Sequence, residues 1–268
     1  MAVVYFVGAG NDGNWNTGAN WSTGAVPQNS DTALIGATNQ NLVAATVAQT
    51  GLTIVFTPGY GGNVEGLTIT NGGTLLRYAG TGASARFLSG GTFTAASLEH
   101  SGNQNVELAS GTWTTVNNGM GGLLIGASAV VTTLNNTAGT VTAQYNATVF
   151  TTCSNAGTMV SYRSATTLNC KRGSYILLDN GTTTYTLSTT VNIENGAVYN
   201  KRSGGTDVTL NLFPGGTFTP AGTSGGSGNA ITITTANIWT GSTYIENVPG
   251  VTVTTTTKNY VGPMNGSR

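Results

Sequence analysis

The chain has 268 residues, 40 of them glycine, with 38% apolar residues, only 7% charged residues, and nine acids balancing nine bases. So little charge gives weak electrostatic steering, which argues against nucleic acid or an anionic membrane as partner. A balanced charge, with Thr alternating with Val, Ile, Leu and Phe, also argues against a disordered tract and for a β-rich protein coated with Thr, Ser and Asn.

In chain order, the first 36 residues stand apart. They hold Trp15 and Trp21, two of the four tryptophans, with Pro27 and Asp31, in the stretch WNTGANWSTGAVPQNSDTALIG. Large aromatics at this place predict a cap over the open end of a stacked β body. The opening MAVVYFVGAGNDGNW lacks a basic region, a long apolar run and a cleavage site, so no export signal is expected. No stretch has the length of a membrane-spanning helix.

Residues 37–222 read as the body. Its first coils are expected around strands at 52–56 and 67–70, separated by the turn at 58–62. A glycine followed by a small or hydroxylated residue then returns at Gly73, Gly91, Gly111, Gly139, Gly157, Gly173, Gly196 and Gly216, in steps of 18, 20, 28, 18, 16, 23 and 20 residues. A degenerate repeat of this length predicts β coils, with Thr74, Thr92 and Thr112 at equivalent positions and ladders of Asn or Thr along the stack. The 28-residue step holds GLLIG from Gly122 and ASAVV from Ala127, the place for an irregular rung. After Gly222 the run TSGGSGN reads as a flexible connection, and 223–268 as a β extension with alternation from Ala230 and from Val251. The expected fold is all-β: a right-handed parallel β-helix or β-solenoid with an aromatic cap and a C-terminal extension.

The pattern Trp15, Asn20-Trp21-Ser22, Pro27, Asp31 and the strand at 33–35 resembles the N-termini of bacteriophage virion-associated β-helical proteins and, more loosely, of bacterial β-helical surface proteins. It covers about a tenth of the chain and holds no catalytic residue. The resemblance implies a structural virion protein, assembled in the host cytoplasm, most simply a capsid decoration or cement protein bound to the major capsid protein across subunit joints. Trp15, Trp21, Pro27 and Asp31 are the expected contact residues. The alternatives are a tail spike or fibre module that binds or cleaves host glycan, and a bacterial adhesin. The weakly repelling faces of a charge-poor solenoid add the expectation of a homotrimer.

Chemistry has few carriers. His100, beside Glu99, reads as a solvated turn residue, and the pairs Lys171-Arg172 and Lys201-Arg202 read as turn charges that blunt sheet edges. A glycan-cleaving carboxylate pair would draw on Glu99 with Glu107 or Asp179 with Glu194. Trp113, Tyr145, Tyr162, Tyr175 and Tyr199 read as packing within rungs. Cys153 and Cys170, 17 residues apart, fit two buried unpaired thiols on neighbouring rungs, or a disulfide should their Cβ atoms come within about 4 Å. The segment from Gly8 to Gly13 resembles one calcium-binding β-roll turn, but a single copy lacks the second turn that completes the cage, so a tight turn is expected. No catalytic residue, cofactor or metal is expected.

Overall fold

The computed structural model describes residues 1–36, 38–43, 46–70, 73–89, 96–144, 148, 150–177, 188–202, 204–220 and 230–262. Gly91-Thr92, Tyr145, Asp179 and the connection after Gly222 lie outside them. Among the described residues there is no α-helix, only strands and one 3-10 turn, Gly18–Asn20. Contacts divide the chain into two compact units, Met1–Asn146 and Ala147–Arg268. Each is a parallel β-solenoid.

The first unit holds β1 (Val3–Tyr5), β2 (Thr32–Ile35), β3 (Leu42–Val43), β4 (Thr46–Val47), β5 (Thr53–Phe56), β6 (Val64–Ile69), β7 (Leu75–Tyr78), β8 (Ser84–Ser89), β9 (Ala96–His100), β10 (Asn105–Asn118), β11 (Gly122–Asn136) and β12 (Thr140–Ala143). They form two parallel ladders. One runs β1, β2, β5, β7, β9 and the later halves of β10 and β11. The other runs β3 and β4, β6, β8, the earlier halves of β10 and β11, and β12. Because strand side chains alternate sides, identical registers stack like on like. Val4, Ala33, Ile54, Leu76, Leu98, Val116 and Leu134 form one buried row in the first ladder. Each larger aliphatic in it contributes roughly 1.5–3 kcal/mol of burial.

The second unit holds β13 (Phe150–Asn155), β14 (Thr158–Ser161), β15 (Ala165–Cys170), β16 (Gly173–Leu177), β17 (Ser188–Ile193), β18 (Ala197–Lys201), β19 (Gly205–Leu212), β20 (Thr217–Pro220), β21 (Ile231–Trp239), β22 (Thr243–Tyr244) and β23 (Val253–Val261). Odd-numbered strands form one parallel ladder and even-numbered strands the other. The even ladder stacks an aromatic row, Tyr175, Tyr199 and Phe218, all buried, and the half-buried Tyr244, with centroids 5.3–5.9 Å apart. In the odd ladder the first strands share one burial sequence, with Phe150, Cys153 and Asn155 inward and Thr151 and Thr152 both outward. Two successive outward residues break the pleat, so each strand turns a corner there. Thr152, Thr167, Thr190, Thr209, Thr235 and Thr257 stack at this corner.

Just past the corner runs a row of outward asparagines. Asn192 donates its amide N–H to Asn169 Oδ1, Asn211 to Asn192, Asn237 to Asn211 and Asn259 to Asn237, each at 2.8 Å.

The glycine steps do mark coils, but not one side of them. Gly73 precedes β7 in the first ladder, Gly111 faces Ala129 within that ladder, and Gly139 precedes β12 in the other, so the 28-residue step is one ordinary coil plus a change of side. Thr112 lies one residue ahead of the station of Thr74, because Leu75 faces Ser97 while Ala96 faces Trp113. In the second unit Thr158, Ser174 and Thr217 share a station with Val198, one residue beyond the expected Ala197. Gly173 shows why glycine is needed at such a turn: its φ is +70°, and a Cβ there would lie 2.2 Å from the carbonyl oxygen of Gly157. Cys153 and Cys170 are buried, unbridged and inward on adjacent strands, two positions out of register, since Cys153 faces Leu168.

Candidate functional site

The N-terminal cap is built from aromatic packing and a borrowed strand edge. Trp15 and Trp21 are buried edge to face, 4.7 Å between centroids, and Phe6 meets Trp21 at 5.2 Å. Trp21 donates its indole N–H to the Trp15 carbonyl at 2.7 Å. The backbone of the same segment covers the outer edge of β1. Phe6 bridges antiparallel to Trp21, Ser22 N–H donates to the Tyr5 carbonyl at 2.8 Å, and Val7 N–H donates to the Asn20 carbonyl at 2.7 Å. Asp31 accepts from the N–H groups of Ala2, at 2.6 Å, and Gln28, at 3.0 Å, and these bonds hold its carboxyl below the usual range. Pro27 is buried beside them.

All four expected contact residues, Trp15, Trp21, Pro27 and Asp31, are therefore packed within their own unit. The large apolar residues that the start of the chain offers to solvent are Met1, Val3, Tyr5 and Val7, a row at alternate positions with the last three 51–54% exposed. Val3 and Tyr5 stand on the face of β1 opposite the buried Val4. Sequence reading missed this row; its signal was the alternation in VVYFV.

The segment from Gly8 to Gly13 is a tight turn. Asp12 accepts from Thr17 Oγ1 and Asn20 Nδ2, both at 2.6 Å, and from Asn14 N–H at 3.0 Å, so its oxygens serve the turn itself. Among the described residues no cluster of metal-ligating side chains occurs.

Glu99 and Glu107 are not brought together. Glu99 lies in the first ladder of its unit, opposite Asn117, and pairs with Arg77 at 2.7 Å; Glu107 lies in the second, opposite Leu124, and pairs with Arg86 at 3.2 Å. His100 is not a solvated turn residue. It is buried in β9, between Tyr78 and Asn118 in an inward row, with Nδ1 2.7 Å from Asn118 Oδ1, and burial lowers its pKa. Asn118 then donates to Asn136 Oδ1 and Asn136 to the Gly139 carbonyl, both at 3.0 Å.

Lys201 is likewise not a turn charge. Its side chain is 2% exposed and bridges Asp207, 0% exposed, at 2.9 Å, inside the second unit. Trp113, Tyr175 and Tyr199 are buried rung residues as expected, and Tyr162 is half-buried.

A groove of about 890 Å³ crosses the outer face of the first unit. Its floor is two registered rows, Ser84, Asn105, Gly122 and Thr140 beside Arg86, Glu107, Leu124 and Thr142. Glu65 on its rim accepts from Asn41 Nδ2 at 3.2 Å.

The last strand of the second unit is finished differently from β1. Below the aromatic row, Tyr244, Glu246, Thr255 and Lys258 make a polar plug: Thr255 lies 2.6 Å from the Tyr244 hydroxyl and donates to Glu246, which also accepts from Lys258. β23 pairs with β21 on one side, and among the described residues no strand follows it on the other. Comparison with protein-family models, with curated proteins and with solved structures returns no match to this chain.

Proposed function

We propose that this protein is a non-catalytic structural component of a bacteriophage virion, a decoration or cement protein bound to the major capsid protein. The observation that carries the reading is the apolar row Met1, Val3, Tyr5 and Val7, exposed on a strand whose opposite face is core and whose edge is already paired. Such a row presents side chains, not backbone, to a partner. The buried tryptophans hold it in shape. The Thr, Ser and Asn coat elsewhere supports a body that resists non-specific association with charged polymers. Bound across a joint between capsid subunits, the cap would add contacts that internal pressure must break before the shell opens.

The test uses purified shells lacking this protein. The full chain should bind and raise the temperature at which shells release DNA, and Val3→Thr/Tyr5→Thr/Val7→Thr, which leaves Trp15 and Trp21 untouched, should fold normally and lose most of that binding. Undiminished binding by the triple variant would sink the docking assignment.

A second reading, a spike or fibre module that binds host glycan, is favoured by the groove of the first unit, with its hydroxyl and amide rows and the Arg86–Glu107 pair. Retention on a host-glycan array, abolished by Asn105→Ala/Arg86→Ala and indifferent to the β1 triple variant, would replace the first reading.

A further inference from the structure

We propose that β23 pairs antiparallel, edge to edge, with β23 of a second copy of this chain, about a two-fold axis between Thr256 and Thr257. An unpaired row of backbone donors and acceptors is a template for another strand, and proteins normally blunt such edges with charge, proline, brevity or a cover. β23 is nine residues long and contains no proline. Its one charge, Lys258, is taken up by Glu246 of the same chain. Tyr260, 77% exposed, and Val261 stand open beside it.

The shape of β23 selects its occupant. Like the strands stacked on it, β23 turns the threonine corner, with Thr257 facing Thr235. A straight strand cannot follow a cornered edge along its length. A reversed copy of β23 can, because the corner lies at the middle of the strand and reversal lays corner on corner. Of the first strands of the two ladders in the first unit, β1 is occupied by its own Ser22 and Asn20, and β3 bridges to Asn14 and donates Val43 N–H to the Gly13 carbonyl, which disfavours head-to-tail stacking.

The register is then fixed. Val253 faces the partner copy's Tyr260, Thr254 its Asn259, Thr255 its Lys258, and Thr256 its Thr257. Every facing pair points to the same side: Thr255 and Lys258 belong to the plug, while Thr254 and Asn259 point outward. Backbone polarity agrees. Ile231 N–H bonds the Thr252 carbonyl and Thr240 N–H the Val261 carbonyl, so before the corner residues 253 and 255, and after it 258 and 260, turn their backbone groups to the open edge. No like charges face each other, and Asn259 Oδ1, the last acceptor of the asparagine row, meets a threonine hydroxyl. Pairing about a two-fold axis closes on itself, giving dimers and not fibres.

The inference concerns the isolated chain and stands apart from any binding to shells. Sedimentation equilibrium should show twice the chain mass at tens of micromolar, since one strand pair is smaller than a standard interface of about 1,600 Å². Mild oxidation of Thr254→Cys/Asn259→Cys should give a covalent dimer, because facing residues of a non-hydrogen-bonded pair lie within disulfide reach. Thr254→Cys/Val261→Cys, out of register, should give none; Cys153 and Cys170 are buried and do not interfere. Thr254→Lys/Asn259→Lys sets lysine against lysine and should yield a monomer with an unchanged β spectrum. A wild-type mass of one or three chains, a dimer that does not cross-link at 254–259, or a dimer that survives the double lysine substitution would each overturn the proposal.

Discussion

The first strand and the last solve the same problem in opposite ways. At β1 the chain returns on itself, so Trp21 seals the interior while its neighbours' backbone closes the edge. At β23 the interior is sealed by the plug of Tyr244, Glu246, Thr255 and Lys258, and among the described residues no strand covers the edge. Closing an interior and closing a ladder are thus separable tasks. The first needs side-chain volume or satisfied polar groups; the second needs backbone.

The comparison breaks if the aromatic lid is dispensable. Trp21→Ala removes a buried ring, an indole hydrogen bond and the partner of Phe6, and should cost about 3–5 kcal/mol, read as a lowered denaturation midpoint of the first unit. A loss under about 1 kcal/mol would mean that the backbone arm alone closes that end. Within the second unit, Lys201→Met strands Asp207 in a dry interior and should cost about 3–5 kcal/mol in chemical denaturation, whereas Lys201→Met/Asp207→Leu should recover most of it. At the open end, Lys258→Ala breaks a half-exposed pair and should cost no more than about 1 kcal/mol, several-fold less than the loss of Trp21. The smallest effect is one of pH. The carboxyl of Asp31 titrates lower folded than unfolded, so its contribution is complete above the ordinary value of about 4 and is lost as pH falls through the folded value. Protection of the Ala2 and Gln28 amides, taken relative to their intrinsic exchange rates, should fall in that window, and Asp31→Asn should flatten the response.

The coils were legible in the glycine steps because turns at successive levels must repeat, and the cap was legible in Trp15 and Trp21 because large aromatics need an interior. What was not legible depended on contacts between strands. Alternation from Ala197 carries Lys201 inward with Tyr199, but a lysine beside Arg202 reads as a turn charge, and Asp207 six residues later, on the other ladder, does not announce itself as its partner. His100 sits in a Glu-His-Ser-Gly context typical of turns; only the stacking of Tyr78 above it and Asn118 beside it puts it in the interior. The exposure of the row on β1 was not legible because the alternation in VVYFV does not tell which face of a first strand meets the core.

The asparagine row makes the second unit mechanically directional. Its four amide bonds all point the same way and lie in series from coil to coil, so a force that peels β23 outward meets them one at a time, beginning with Asn259. A force that slides one flank of the unit past the other loads them together. The unit should therefore resist shear far better than peeling, and the edge where peeling would begin is the one a second copy would clamp.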